Sequence, residues 1–236
     1  MKAAQPGPGA PGGPVPPGAA SSGAPPFWLT ELAARAGEMR MPPRMRAPAH
    51  GGRSSAVLLL FGETAGEPDL LIVQRGQHLR RHAGQPAFPG GAIEPSDQGP
   101  VGAALREAAE EVGVDPAGVD VLAVLDELFI PRSGFRVTPV LAWWRAPSPL
   151  VAAADGEIVS AARVRLADLA DPAHRLSVRY PAGPAGPAFR VHGMLVWGFT
   201  AMLVDRMLAL AGWEQPWDTG RHEDLPPDVL DAAARG

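Results

Sequence analysis

Hydrophobic positions fall in short runs separated by glycine, proline and polar residues. Residues 55–61 (SAVLLLF) and 69–75 (DLLIVQR) are apolar, partly β-branched runs joined by a polar segment, which is typical of a β-hairpin. Residues 119–130 and 135–144 repeat this pattern around the turn sequence PRSG and predict two further strands. Residues 157–169 (EIVSAARVRLADL) predict another strand followed by a short helical turn.

Three other segments have the spacing and composition of helices. Residues 27–36 place apolar side chains at helical spacing, with Thr30 as a candidate cap. Residues 100–112 are rich in alanine, begin with proline and are followed by Gly113, which are typical helix ends. Residues 192–212 predict a long helix with an apolar face.

The order of these elements predicts the fold class. Strands come first, one helix lies between them and the later strands, and another helix comes late. This order lacks the regular alternation of a doubly wound fold. We therefore expect an α/β protein in which a mixed β-sheet lies between helices.

The chain is expected to form one domain with a tail at each end. Residues 1–26 contain 14 glycine or proline residues and almost nothing to bury, which predicts a disordered tail. Residues 27–212 are expected to form the domain, with its core within 55–205, and residues 213–236 a loosely held tail. The 236 residues, 46% of them hydrophobic, suffice for one full-sized domain but not comfortably for two.

Charge and composition argue against several classes of protein. A formal net charge of -4 disfavours a protein that coats nucleic acid, because that role needs a basic face. The absence of cysteine excludes a disulfide framework, a thiolate zinc site and a cysteine nucleophile. The sequence shows neither a secretory signal nor an apolar stretch long enough to span a bilayer, so we expect a soluble cytoplasmic protein. A homodimer is left open.

The helix predicted at residues 100–112 carries clustered negative charge. Residues three or four apart share a helix face, so Glu107, Glu110 and Glu111 project together near its C-terminal end. Mutual repulsion and the helix dipole both disfavour this cluster, and Arg106 can neutralise only part of it. A bound Mg²⁺ or Mn²⁺ is one explanation, because these cations prefer carboxylate oxygens. The other is an ordinary solvated face of an Ala- and Glu-rich helix.

The residues around this helix resemble the Nudix box, G-x5-E-x7-R-E-U-x-E-E-x-G-U, where U is a bulky aliphatic residue. The second half of the box is filled in register by Arg106, Glu107, Glu110, Glu111, Gly113 and Val114. The first half departs from the pattern, since Asp97 replaces the first Glu and one extra residue separates Gly91 from the helix. Ala108 also replaces the aliphatic residue.

A second motif is similar to that of the coenzyme A pyrophosphatase branch of the Nudix hydrolases, LLTxR[SA]xxxRxxxGxxxFPGG. Here the stretch reads LIVQRGQHLRRHAGQPAFPGG. The positions in step are Leu71, Arg75, Arg80, Gly84, Phe88, Pro89, Gly90 and Gly91. The resemblance to this branch of the family extends over roughly residues 55–205. The resemblance implies a Nudix-type α/β/α sandwich that hydrolyses coenzyme A, or an acyl or oxidised derivative, to 3',5'-ADP and the 4'-phosphopantetheine portion.

The resemblance also implies roles for individual residues. Mg²⁺ or Mn²⁺ would be bound by Glu107, Glu110, Glu111 and the carbonyl of Gly90. Arg106 would orient a carboxylate through charge-assisted hydrogen bonds. The general base is left open between Glu107 or Glu110 in the box and Glu157 downstream. The small-molecule substrate would be contacted by Arg75, Arg80, Gly90, Gly91 and Arg136.

Two alternatives to a coenzyme A hydrolase stay open. The chain could be a Nudix hydrolase for another nucleoside diphosphate compound, such as ADP-ribose or NADH, although the second motif speaks against it. It could also be a catalytically idle Nudix domain that binds a ligand as a regulator. The complete set of helix carboxylates disfavours that alternative, because an idle domain gains nothing from a repulsive cluster.

Overall fold

The fold is described from a computed structural model of the chain. It describes residues 23–46, 48, 51–76, 84–131, 133–153, 156–180 and 184–225. Most of the predicted N-terminal tail, the predicted substrate contact Arg80 and the last eleven residues lie outside the described residues.

The centre of the molecule is a mixed, eight-stranded β-sheet. Its strands are β1 (Arg53–Thr64), β2 (Glu67–Arg75), β3 (Pro86–Ala87), β4 (Gly90–Ala92), β5 (Val119–Val124), β6 (Leu128–Ile130), β7 (Phe135–Trp144) and β8 (Ile158–Arg165). Strands β1 and β2 form the predicted hairpin, whose turn contains Ala65 and Gly66 at positive φ. The parallel pairing of β1 with β7 makes the sheet mixed.

The short strands β3 and β4 bring the FPGG segment into the sheet. β3 pairs with the end of β2, and β4 pairs with the start of β1. Residues 86–92 therefore lie between two long strands. The glycines of this segment are held by backbone pairing, Gly90 opposite Val57 and Gly91 opposite Ala56.

Helices cover both faces of this sheet, as predicted. They are α1 (Phe27–Ala34), α2 (Gly99–Val112), α3 (Leu166–Ala170) and α4 (Gly198–Leu210). Alternate residues of the strands point to opposite faces, so one set packs with α2 and the other with α1 and α4. The α/β class with a mixed sheet between helices is confirmed. No helix in the described part of the chain is long and apolar enough to cross a membrane.

A second, four-stranded sheet was not predicted. It consists of β9 (Arg175–Arg179), β10 (Gly186–Val191), β11 (Met194–Val196) and β12 (His222–Asp224), in the order β11-β10-β9-β12. The prediction of one helix over residues 192–212 is therefore wrong at its start. His192 and Gly193 form a turn at positive φ, β11 pairs with β10, and the helix begins only at Gly198.

Part of the C-terminal segment expected to be loosely held is packed against the domain. β12 pairs in parallel with β9, Leu225 is buried, and the Trp213 ring lies 4.7 Å from that of Trp28. The expectation is therefore wrong for Trp213, β12 and Leu225, which ring contact, strand pairing and burial hold against the domain. The division of the chain into 1–26, 27–212 and 213–236 otherwise stays a prediction.

Candidate active site

Helix α2 packs closely on the sheet through small side chains. Ala103, Ala104 and Ala108 are completely buried against β1, β2 and β7. Ala108 stands where the Nudix pattern has a bulky aliphatic residue, and its small size suits this close packing. The helix ends at Gly113, whose left-handed conformation (φ 74°) caps it. The acidic face of its last turns is thereby held against the FPGG segment.

Backbone packing against β1 requires glycine at Gly90, whereas glycine at Gly91 leaves room for a carboxylate of α2. A Cβ atom on Gly91 would lie 2.3 Å from Oε1 of Glu107, and one on Gly90 would lie 2.2 Å from the carbonyl oxygen of Ala56. The carboxylate of Glu107 therefore rests on the backbone of Gly91. Burial raises the pKa of Glu107, while hydrogen bonding to Arg106 partly opposes this effect.

Glu111 is the most buried carboxylate of α2. The residue is 7% exposed, and its Oε2 accepts a hydrogen bond from the amide of Gly90 at 3.1 Å. Burial raises the pKa of Glu111 from 4.5 to about 8, despite the opposing effects of the Gly90 amide and the Arg75 guanidinium. The negative charges of Glu107 and Glu157 raise it further. Within the described part of the chain, the positive charge beside this carboxylate does not offset its burial.

Arg106 compensates the other two carboxylates of the helix. Its Nη1 donates to Oε1 of Glu107 at 2.9 Å and to Oε2 of Glu110 at 3.0 Å. Its Nη2 also donates to the carbonyl oxygen of Ala92 at 3.1 Å. Glu110 is 61% exposed, so its pairing with Arg106 takes place at the surface.

Asp97 anchors Arg106 from the preceding loop. The Nε and Nη2 of Arg106 donate to the two oxygens of Asp97 at 2.9 and 3.1 Å, a bidentate arrangement. The amide of Glu94 donates to the same carboxylate at 2.8 Å. The hydrogen bonds from Arg106, and secondly the one from Glu94, lower the pKa of Asp97. Asp97 is therefore held as a carboxylate that fixes the guanidinium.

Arg75, at the end of β2, connects α2 with the start of β8. Its Nη2 donates to Oε1 of Glu157, and its Nη1 lies 3.7 Å from Oε1 of Glu111. The amide of Gly76 donates to the carbonyl oxygen of Glu157 at 2.7 Å, which fixes the backbone at the same place. Two carboxylates from separate parts of the chain thus share one guanidinium.

Counted over the residues that the structure describes, the site contains more negative than positive charge. Its carboxylates are those of Asp97, Glu107, Glu110, Glu111 and Glu157, and its guanidinium groups are those of Arg75 and Arg106. Among the described residues, no three acidic or histidine side chains lie close enough together to hold a metal ion as they stand. The donor chemistry nevertheless fits a hard divalent cation, because it consists of carboxylate oxygens and burial raises the pKa of two of these carboxylates, Glu107 and Glu111.

Comparison with known proteins identifies the family. A family model described as the NUDIX domain matches residues 52–181, which is more than half of the chain. The chain belongs to the Nudix family. The matched span contains the whole of α2, the FPGG segment and Glu157.

Curated relatives carry the same family name. An uncharacterized Nudix hydrolase NudL from Cronobacter sakazakii is 38% identical over 181 residues, covering 74% of this chain and 90% of the relative. A second NudL, from Citrobacter koseri, is 38% identical over 175 residues, covering 71% of this chain and 87% of the relative. Membership of the Nudix hydrolases supports a pyrophosphohydrolase that acts on a nucleoside diphosphate-linked compound.

A solved Nudix structure supports the fold. The Nudix hydrolase RenU from M. smegmatis superposes with a TM-score of 0.50 at 19% identity, covering 73% of this chain and 93% of that one. At this identity the likeness bears on the fold alone.

The structure brings together most of the predicted site residues. Those that share the α2 and FPGG region are Arg75, Gly90, Gly91, Arg106, Glu107, Glu110, Glu111 and Glu157. The contact described at Gly90 is through its amide, so a metal-binding role for its carbonyl stays a prediction. Arg136 lies apart from this group in its described contacts, with its Nε donating to Glu127 at 2.7 Å. Its contact with substrate also stays a prediction.

Sequence reasoning missed Asp97 as a member of the site. The residue was noticed only as a departure from the Nudix box, and its bond to Arg106 depends on the shape of the loop before α2. Its position, nine residues before the arginine, was the available signal.

Proposed function

We propose that this Nudix hydrolase cleaves the diphosphate bond of coenzyme A or of an acyl or oxidised derivative. The products would be 3',5'-ADP and the 4'-phosphopantetheine portion or its derivative. The observation that carries the proposal is the pair of carboxylates formed by the partly buried Glu107 and the buried Glu111, held against the Gly90–Gly91 backbone. The motif that ends in these glycines supports coenzyme A as the substrate class.

Mg²⁺ or Mn²⁺ fits this site as a cofactor. Glu107 and Glu111 would hold the cation, with Glu110 and the carbonyl of Gly90 as further predicted ligands. When bound, such a cation neutralises phosphate oxygens and lowers the pKa of a bound water. Arg106, anchored by Asp97, fixes the direction of the Glu107 carboxylate.

The reaction itself needs a proton acceptor. A water oxygen attacks one phosphorus atom, the bond from that phosphorus to the bridging oxygen breaks, and the second phosphate leaves with that oxygen. The water must lose a proton in this step. Glu157 is our candidate acceptor, because it lies at the edge of the site beside Arg75 and 44% of its side chain is exposed.

The proposal is tested by incubating the purified protein with Mg²⁺ or Mn²⁺ and a panel of compounds, with products identified by mass. The panel contains coenzyme A, dephospho-coenzyme A, ADP-ribose and NADH. We expect 3',5'-ADP and 4'-phosphopantetheine from coenzyme A, with slower turnover of the other compounds. Preference for ADP-ribose or NADH would overturn the substrate assignment. No hydrolysis of any member would favour the idle, ligand-binding alternative.

The matched variant for this assay is Glu111→Gln. Glutamine keeps the size of the side chain and an oxygen that accepts from the Gly90 amide, but removes the charge. We expect loss of turnover in a protein that stays folded by circular dichroism. Near-normal activity with added Mg²⁺ would contradict the metal assignment.

A further inference from the structure

The guanidinium of Arg75 is already occupied by protein carboxylates. Its two terminal nitrogens face different acids, Glu157 on one side and Glu111 on the other, and its side chain is only 20% exposed. Its Nε is buried, so a substrate phosphate would have to compete with these carboxylates for the two terminal nitrogens. The described contacts instead make Arg75 a link between two acidic residues of the site.

A β-bulge brings these residues together. In the pairing of β2 with β8, Gln74 lies opposite Ser160 but Arg75 lies opposite Ile158, so Val159 is the extra residue. Val159 is exposed, while Ile158 turns into the core beside α2. Bulges of this kind redirect side chains and occur often beside active sites. After the bulge, Arg75 and Ile158 form the last pair between β2 and β8. Glu157 is the residue next to Ile158, so it lies beside Arg75.

We infer that Arg75 is a positioning residue, which holds the Glu157 carboxylate beside Glu111 rather than binding the substrate phosphate itself. This inference rests on the proposed function, in which Glu157 accepts the proton. The planar fork of arginine can serve two carboxylates at once, whereas a lysine ammonium offers a single point of charge. Without Arg75, the Glu157 side chain would lose the contact that holds it beside Glu111, and its repulsion by Glu111 would favour movement away from that residue.

The test compares the wild type with Arg75→Gln, Glu157→Gln and the double variant, in steady-state kinetics with coenzyme A and Mn²⁺. We expect Arg75→Gln to lower kcat by about 10- to 100-fold with little change in KM, as for other residues that orient a reacting group. The double variant should be no slower than Glu157→Gln alone, because both changes remove the same function. If KM rises in Arg75→Gln, and if the losses in kcat/KM of the two single variants multiply in the double variant, Arg75 binds substrate and the inference is overturned.

Two further variants sharpen this result. Arg75→Lys keeps the positive charge but loses the planar guanidinium, so its kcat should stay close to that of Arg75→Gln. A kcat equal to that of the wild type would contradict the inference that Arg75 links Glu157 to Glu111. Arg145→Gln is the matched control, because it breaks an arginine–carboxylate pair elsewhere in the protein, between Arg145, just after β7, and Asp120 of β5. Its kcat should equal that of the wild type.

A readout independent of activity uses the same four proteins without metal. If Arg75 and Glu157 contact each other, the change in unfolding free energy of the double variant should differ from the sum of the single changes. Additive changes in unfolding free energy would show that Arg75 and Glu157 do not interact, and would overturn the inference whatever the activity of the wild type. Coupled changes in a wild type that hydrolyses nothing would count against the proposed function alone.

Discussion

Replacing Glu111 with glutamine is expected to stabilise the metal-free protein, and to do so more at high pH. Burial raises the pKa of Glu111 from 4.5 to about 8 in the folded protein. A raised pKa means that the folded protein holds this proton more tightly than the unfolded chain. The stability that this proton provides is complete below the unfolded pKa and is lost as the pH rises through 4.5 toward about 8.

The size of the effect follows from the two pKa values. Relative to a carboxyl group whose pKa does not change on folding, Glu111 destabilises the folded protein by about 1 kcal/mol near pH 5 and about 4 kcal/mol near pH 8. Glutamine does not titrate and still offers an oxygen to the Gly90 amide. The difference in unfolding free energy between the variant and the wild type should therefore grow by about 3 kcal/mol between these two pH values.

The assay is urea unfolding in the presence of a chelator, at both pH values, followed by circular dichroism. Glu110→Gln is the control, because it makes the same substitution on the same helix at an exposed pair with Arg106. Its effect should stay within about 0.5 kcal/mol at either pH. A Glu111→Gln difference that does not change with pH would refute the reasoning, because it would mean that this carboxylate is not desolvated.

A divalent cation should offset much of this difference in unfolding free energy near pH 8. Mn²⁺ at about one hundred times its dissociation constant is expected to stabilise the wild type by about 2.7 kcal/mol. Glu111→Gln should gain much less, since it lacks the most buried of the candidate ligand carboxylates. Equal stabilisation of both proteins by Mn²⁺ would show that the cation binds elsewhere.

Three further predictions concern the supports of the site and the fold. Asp97→Asn should lower kcat by about 10- to 100-fold, because Arg106 loses its bidentate anchor; Asp97→Glu should recover part of the loss in the same assay. Gly91→Ala should abolish turnover while circular dichroism stays unchanged, because the added methyl group would displace the Glu107 carboxylate. Arg175→Met should lower the unfolding free energy by about 3–5 kcal/mol in urea denaturation, because it leaves a partly buried aspartate of α4 unpaired.

Local signals made the first half of the fold predictable. The β1–β2 hairpin and α2 agree with their predicted positions within a few residues, because a polar turn, a proline start and a glycine end mark them in the sequence. The same reasoning failed for residues 192–212. The short apolar run of β11 has no helical or strand periodicity of its own, and only its pairing with β10 decides its conformation.

The site was predictable in its residues but not in its connections. Helical spacing correctly places Glu107, Glu110 and Glu111 in the last turns of α2. Their different surroundings follow from packing, which buries one and leaves another at the surface. The meeting of Arg75 with Glu157 depends on a bulge, and no sequence pattern marks one there.

The two explanations of the acidic helix apply to different residues. Glu110 is exposed and paired with Arg106, as expected for a solvated helix face. Glu111 is buried, and the one cation that lies beside it among the described residues, Arg75, is shared with Glu157. A solvated face gives no reason to bury a carboxylate with so little positive charge around it, since burial of an uncompensated charge is costly. A cation-binding site does give such a reason, and the Gly90 edge of α2 is where that negative charge is concentrated.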